Sequence, residues 1–258
     1  MIGFLIKKTF YDSWDNLLKI VLLNLGFIIC AMAPIFIPPL LEKVPVLGYG
    51  MLFVGIALCC VYLSTVALSL KSISDSSFLG FREFFGNIKH ALPAGLVFAC
   101  FVFIAWLLID IAIPFYLFSM NSLVGIFFAA VIFWTMAIGF FSLQFFFAIH
   151  FRLNNSILKS LKKCFIVFFD NSLFCIFIFG YNALCLLISF FLAFLVPGPA
   201  GLLLFLDEAF RLRLLKYDFL EENPGAPRKK IPWDTLLIDE RERTGTRSLK
   251  NFIFPWKD

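Results

Sequence analysis

Carboxylates set inside apolar sequence are the residues of this chain best placed to do chemistry. Asp110 lies deep in an apolar run with Pro114 four residues further on. A charge in hydrocarbon costs about 2.5 to 3.5 kcal/mol on insertion scales, so it needs a reason to be there. The proline ring displaces the hydrogen bond to the carbonyl of residue 110. The spacing therefore predicts a kink and a freed carbonyl beside the carboxylate, a pair able to bind a cation or a proton. The other reading open to Asp110 is that it reaches the outer interface or pairs with a neighbouring helix. Asp207, Glu208 and Arg211 form a second cluster. Spaced i,i+4 and i,i+3, they predict an ion pair within one helix, with the remaining carboxylate in need of a proton or a partner. Asp207 is expected about 10 Å from the outer end of its helix, level with Asp110. If so, the two carboxylates converge on Arg211, on a freed carbonyl or on water.

Asn24, Gln144 and Asn182 also lie in apolar runs. Side-chain amides there usually join helices, at about 0.6 kcal/mol each. Together with Asp110, Asp207, Glu208 and Arg211 they make up the candidate intramembrane polar site. His90 and His150 flank polar loops, and no HExxH, GxSxG or Walker pattern is present, so the chain does not read as an enzyme. The seven cysteines show no CxxC spacing and behave as small hydrophobes. No catalytic residue, metal or cofactor is expected.

These groups are carried by helices. With 61% hydrophobic residues, 37 Phe and 15% charged residues, 258 residues cannot hide their apolar surface in one soluble core, so lipid must solvate it. Five apolar runs are long enough to cross about 30 Å of hydrocarbon: residues 20–41, 46–70, 94–118, 123–149 and 173–196. They lack the alternation a barrel needs.

Lysine and arginine placement sets the topology. Lys7 and Lys8 precede the first run; Lys71, Arg82 and Lys89 follow the second; Arg152, Lys159, Lys162 and Lys163 follow the fourth. The intervening loops carry only Lys43, which puts the N-terminus in the cytoplasm. Five crossings would leave Arg211, Arg213, Lys216 and Arg228 outside, against the rule. Residues 200–217, turned back by Pro197-Gly198-Pro199, supply either a sixth crossing or a re-entrant hairpin. Both return the tail to the cytoplasm.

A motif repeats. Residues 7–16 and 162–171 both read Lys-Lys-x-Phe-x-x-x-(Trp or Phe)-Asp-Asn, and residues 81–87 form a weaker third copy ending in Asn87. Each copy precedes an apolar run. Phe81, Phe84, Phe85, Ile88 and Leu92 share a helical face opposite Arg82, Glu83, Asn87 and Lys89; Ile157, Leu158, Leu161 and Phe165 do so opposite Lys159, Lys162 and Lys163. These are amphipathic elbows that lie on anionic lipid or form a docking face. The expected fold is all-α: a polytopic membrane helix bundle of six transmembrane helices, arranged as three parallel-repeat hairpins with cytoplasmic amphipathic elbows.

The chain resembles the YesL-like family of uncharacterised bacterial multi-pass membrane proteins. The resemblance rests on Phe10-Tyr11-Asp12-Ser13-Trp14-Asp15-Asn16-Leu17-Leu18 with Val21-Leu22-Leu23-Asn24-Leu25, on Phe84-Phe85-Gly86-Asn87-Ile88-Lys89-His90-Ala91-Leu92, and on Asp170-Asn171. It covers residues 1–217 and implies a link to carbohydrate uptake. The tail and the charges of residues 207–211 depart from the family.

The transmembrane domain is expected over residues 1–217 and a polar cytoplasmic tail over 218–258, with as many basic as acidic residues and too few aliphatics for a core. Asp234 could cap a short helix through Arg243. Trp233 and the Phe252–Trp256 end could anchor at an interface, or the tail could pack on the cytoplasmic loops or on a partner. The reading is a multi-pass protein of the bacterial inner membrane with both termini cytoplasmic, acting as an accessory or scaffold subunit of an assembly tied to solute uptake. Its partners are lipid and another protein, not nucleic acid. The alternative is a stand-alone secondary transporter using Asp110 and the Asp207 cluster.

Overall fold

The structure is a computed structural model that describes residues 1–41, 44–75, 80–120, 122–225, 227 and 231–245. It is all-helical, with no strand among the described residues. In chain order the helices are α1 (Ile2–Asp15), α2 (Leu17–Phe36), α3 (Pro45–Ser74), α4 (Phe81–Leu107), α5 (Leu123–Leu143), α6 (Phe146–Leu153), α7 (Ile157–Asp170), α8 (Ser172–Phe191), α9 (Gly198–Glu222), α10 (Trp233–Leu236) and α11 (Ile238–Thr244). Five stretches are long and apolar enough to cross a membrane: Leu17–Leu41, Val46–Ser74, Arg82–Ser119, Leu123–Leu153 and Ser172–Phe191. The shortest would reach about 30 Å as a helix.

The α3/α4 hairpin is the most closely packed pair. A Cβ on Gly95 would stand 2.6 Å from the Val61 backbone, so only glycine permits this approach. Ser64 Oγ donates to the Ala91 carbonyl at 2.9 Å. Higher up, Phe53 meets Phe103 and Tyr49 meets Trp106. Beyond Trp106 the helix widens into two π-turns, Leu108–Ala112 and Phe115–Ser119, on either side of Pro114. The strain expected at this proline is taken up by wider turns.

Two of the three repeated segments form the same elbow. At Asn16 (φ −115°, ψ 24°) α1 turns into α2, and at Asn171 (φ −137°, ψ 45°) α7 turns into α8. In each, the asparagine Nδ2 bonds the carbonyl four residues back: Asp12 at 3.0 Å and Val167 at 3.4 Å. The third segment does not follow. Residues 81–87 open the unbroken helix α4, where Gly86 replaces the aspartate of the other copies and Asn87 Nδ2 donates across to Ser69 Oγ at 3.1 Å. The expectation of three equivalent elbows is corrected to two.

Residues 200–217, read as a possible sixth crossing, lie in α9, which is not among the five apolar stretches. Its entry is clamped by Asn24: Nδ2 donates to the Leu195 and Pro197 carbonyls, both at 2.9 Å, and Oδ1 accepts from Ala200 N–H at 2.8 Å. Asn24 is only about 10 Å along α2 from Leu17. From there α9 runs antiparallel to α2, packing Ala200 and Leu204 against Ile20, Val66 and Leu70. It then passes between α1, the end of α3, α6 and the start of α8. It is buried by protein on most of its circumference, which is why it tolerates charges that a lipid-facing helix would not.

The tail folds back on the chain. Leu237 is buried and Trp233 packs on the main apolar cluster. Asp234 does not cap α11; it lies in α10 and accepts from Arg241 Nη2 at 2.8 Å. The 217/218 boundary falls inside α9, which continues to Glu222. The Phe252–Trp256 end and Arg228–Lys230 lie outside the described residues.

Candidate functional site

Between residues 207 and 216 α9 carries five charges, Asp207, Glu208, Arg211, Arg213 and Lys216, that point in several directions around the helix. Most of them meet a group on another element. Arg152 of α6 grips Asp207 in the two-pronged geometry that suits guanidinium and carboxylate: Nε to Oδ1 at 2.7 Å and Nη2 to Oδ2 at 2.5 Å. The same guanidinium reaches Ser74 Oγ at 2.8 Å and Asp75 Oδ1 at 3.1 Å, closing the end of α3. On the other side, Lys8 of α1 lies between Asp12 Oδ2 at 2.5 Å and Glu208 Oε1 at 3.3 Å, and Thr9 Oγ1 donates to Glu208 Oε2 at 2.8 Å. One turn further along α9, Arg211 donates to the Ser74 carbonyl, to Asp75 Oδ1 at 3.2 Å and to Glu240 Oε1 of the tail at 2.6 Å.

Burial pushes the Asp207 carboxyl above its ordinary value, against the pull of Arg152. Burial also pushes Glu208 well above the ordinary glutamate range, against Lys8 and with Asp12 as a like-charged neighbour. The loss of water would lower Lys8, but Glu208 and Asp12 outweigh it and hold the ammonium above its usual value. Lys8 thus keeps its charge between two carboxyls, and Glu208 is the one disposed to hold a proton.

Farther along α9 the second elbow is fastened. Lys216 Nζ reaches Asp170 Oδ2 at 3.2 Å and Asn171 Oδ1 at 2.8 Å. Asn171 Nδ2 donates to Tyr217 Oη at 2.6 Å, and that hydroxyl donates to Asp170 at 3.0 Å. Burial, reinforced by Asp170, pushes the Tyr217 hydroxyl up to about 12. Arg213 lies with its guanidinium carbon 3.7 Å from the centre of the Phe174 ring, and burial lowers it.

The residues read from the sequence thus part company. Asp207, Glu208 and Arg211 do come together, but through other elements: Asp207 pairs with Arg152, not with Arg211. The i,i+4 rule failed because α9 is enclosed, and inter-element partners with better geometry surround it. Asp110 belongs to a different place, exposed on the first π-turn beyond the Tyr49–Trp106 contact. Ser74 and the α9 network stand at the opposite end of α3, about 37 Å of helix from Tyr49. The expectation that Asp110 and Asp207 share a depth is corrected, because α9 starts beside Asn24 rather than at the far end of the bundle.

Gln144 joins helices as expected: Nε2 donates to the Cys175 carbonyl at 2.9 Å, linking α5 to α8. Asn24 does so through the clamp. Asn182 leaves its buried Oδ1 without a partner among the described residues. His150 bonds Ser160 Oγ at 3.1 Å and stacks on Phe146, outside the network.

Sequence reasoning passed over Lys8, Thr9, Asp75, Arg152 and Glu240. Lys8 and Arg152 had been spent as markers of topology. The overlooked signal is that the charges of α9 occupy no single stripe, so they need partners on several sides at once. Chemically the network is a set of mutually satisfied ion pairs and hydrogen bonds. It holds no His/Cys/Asp/Glu group able to take a metal among the described residues. No family model, curated protein or solved structure matches the chain.

Proposed function

We propose that this chain is an accessory or scaffold subunit of a bacterial inner-membrane assembly, tied to carbohydrate or other solute uptake as its YesL-like resemblance suggests, and that both termini lie in the cytoplasm. The observation that carries the reading is the bidentate Arg152–Asp207 pair inside a network that joins α1, α3, α6, α9 and the tail. Such a network rigidifies one end of the bundle and uses up Asp207 and Glu208, carboxylates that a transport path through this end would require. A transporter drawing on Asp110 and Asp207 together would need both on one polar path, and the packed length of α3 and α4 lies between them. The side assignment is supported by the cleft that Gly3, Phe4 and Lys7 line together with Arg241, Glu242 and Gly245, which sets α1 near α11, and by the placement of the lysines and arginines. In this reading α9 is a re-entrant return and not a full sixth crossing.

The test is reconstitution together with in-membrane cross-linking. Purified protein in liposomes should carry no proton- or cation-coupled solute flux. Photo-cross-linkers at the exposed elbow positions Leu158 and Phe169 should yield a discrete adduct with a membrane transport subunit in native membranes. Flux that disappears with Asp110→Asn in folded protein would overturn the reading and promote the transporter.

A further inference from the structure

Arg213 is unlike the other cations of α9. Arg211 and Lys216, like Lys8 and Arg152 across from the helix, reach carboxylates. Arg213 is 9% exposed, its Nε is buried with no hydrogen-bond partner, and no ion pair joins it among the described residues. Among the described residues its closest ring partner is the face of Phe174, which draws the charge but cannot accept from the planar N–H fork.

Its position points to what completes it. Phe174 is the third residue of α8 and of the apolar stretch Ser172–Phe191, so the guanidinium lies beside the polar-to-apolar transition of this segment. The adjacent Leu173 is exposed, as a lipid-facing side chain would be. α8 starts here without a side-chain cap, because Asn171 is turned to Val167, Tyr217 and Lys216. The positive dipole end of α8, with no side chain capping it, therefore begins beside the residue that Arg213 covers. Lys216 and Asp170 cancel one another, and Tyr217 donates to Asp170. Arg213 is thus left without an ion pair among the described residues, and the preceding helix adds the exposed Lys159 and Lys162. A guanidinium fork is matched by an oxyanion that offers two oxygens.

We propose that Arg213 and the first turn of α8 hold a phosphate-class anion, either the headgroup phosphate of an anionic phospholipid or free inorganic phosphate. The site is independent of the scaffold reading, because it uses none of the groups in the Arg152–Asp207 network.

The experiment compares the full chain with Arg213→Met in nanodiscs of phosphatidylcholine alone, of phosphatidylcholine with phosphatidylglycerol, and of phosphatidylcholine with millimolar inorganic phosphate. In phosphatidylcholine alone, Arg213→Met should unfold at the same temperature as the wild type or above it, because it removes an uncompensated buried cation. Phosphatidylglycerol should raise the wild-type midpoint and not that of the variant. Native mass spectrometry should find retained phosphatidylglycerol about fivefold enriched on the wild type, the effect of one basic residue at an anionic surface. A rise with phosphate alone supports the free anion as the source, and a rise only with phosphatidylglycerol supports the lipid. If Arg213→Met is equally destabilised in all three media and lipid retention is unchanged, the guanidinium serves only to pack on Phe174 and the proposal is overturned. Should Arg213→Met not fold, the wild type decides. Solid-state NMR should show a phosphorus-to-guanidinium contact that disappears in Arg213→Lys, and no such contact overturns the proposal.

Discussion

Arg152 and Asp207, 55 residues apart in sequence, meet through two parallel hydrogen bonds of 2.7 and 2.5 Å, with both side chains removed from solvent. This pair fixes α6, the end of the fourth apolar stretch, against α9, and Ser74 and Asp75 bring in the end of α3. Removing one member leaves a buried charge with no counterpart. Arg152→Met or Asp207→Leu alone should cost about 3 to 5 kcal/mol, whereas the double substitution should recover most of that loss. Thermal unfolding in detergent, analysed as a double-mutant cycle, measures it. Equal and additive losses would mean that the pair is not coupled.

Glu208 gives the fold a pH dependence of defined sign. Burial raises its carboxyl well above the ordinary glutamate value. A group whose folded value is raised contributes stability in full below the unfolded value of about 4.5, and that contribution is lost as pH rises through the folded value. Stability should therefore fall as pH rises above about 4.5, by up to about 1.4 kcal/mol per pH unit for this group, and the midpoint with it. Glu208→Gln should flatten the slope, leaving the smaller part due to Asp207, which has the same sign. Unfolding scans of wild type and variant across this range check it, and parallel curves would remove Glu208 from the account.

The two elbows should differ in sensitivity although their backbones agree. Asn171 holds Tyr217 and Lys216 of α9, while among the described residues Asn16 bonds the Asp12 carbonyl and the Lys19 side chain. Asn171→Ala leaves buried partners unsatisfied and should cost about 1 to 3 kcal/mol, and Asn16→Ala about 1 kcal/mol or less. Asn87→Ala, in a helix that needs no elbow, should resemble Asn16→Ala. Chemical denaturation of the three variants ranks them.

The turn into α9 depends on Asn24 and Gly198 together. Gly198 has φ +58°, and a Cβ there would stand 2.3 Å from the Asn24 amide nitrogen. Gly198→Ala must both strain the left-handed backbone and break the clamp, so a loss above about 2 kcal/mol is expected. Asn24→Leu strands two carbonyls and one N–H and should be at least as damaging. If either variant matched the wild type in unfolding temperature, the clamp would not be what starts α9.

Much of the architecture was legible in the chain before folding. Each apolar stretch is solvated by lipid along its own length, so hydropathy and the 20-residue rule are local properties, and the five stretches found from composition are the five that the fold contains. The turns at Asn16 and Asn171 were legible from the repeated motif, but the asparagine side chains were expected to cap the following helices and instead bond the carbonyls of the preceding turn. The third copy failed where a distant partner intervened: Ser69 takes the Asn87 side chain, and α4 runs on unbroken. The same holds for chemistry. Local spacing offered Arg211 to Asp207, but a buried charge takes the partner with the best desolvated geometry, and that partner, Arg152, arrives by packing from another helix. Where α9 begins was decided by Asn24, 171 residues from the carbonyl it bonds at Leu195, and that one contact placed Asp207 at the opposite end of the bundle from Asp110. Contacts of such separation depend on how helices with near-uniform apolar surfaces choose their neighbours, and nothing in the period or composition of any one helix encodes that choice.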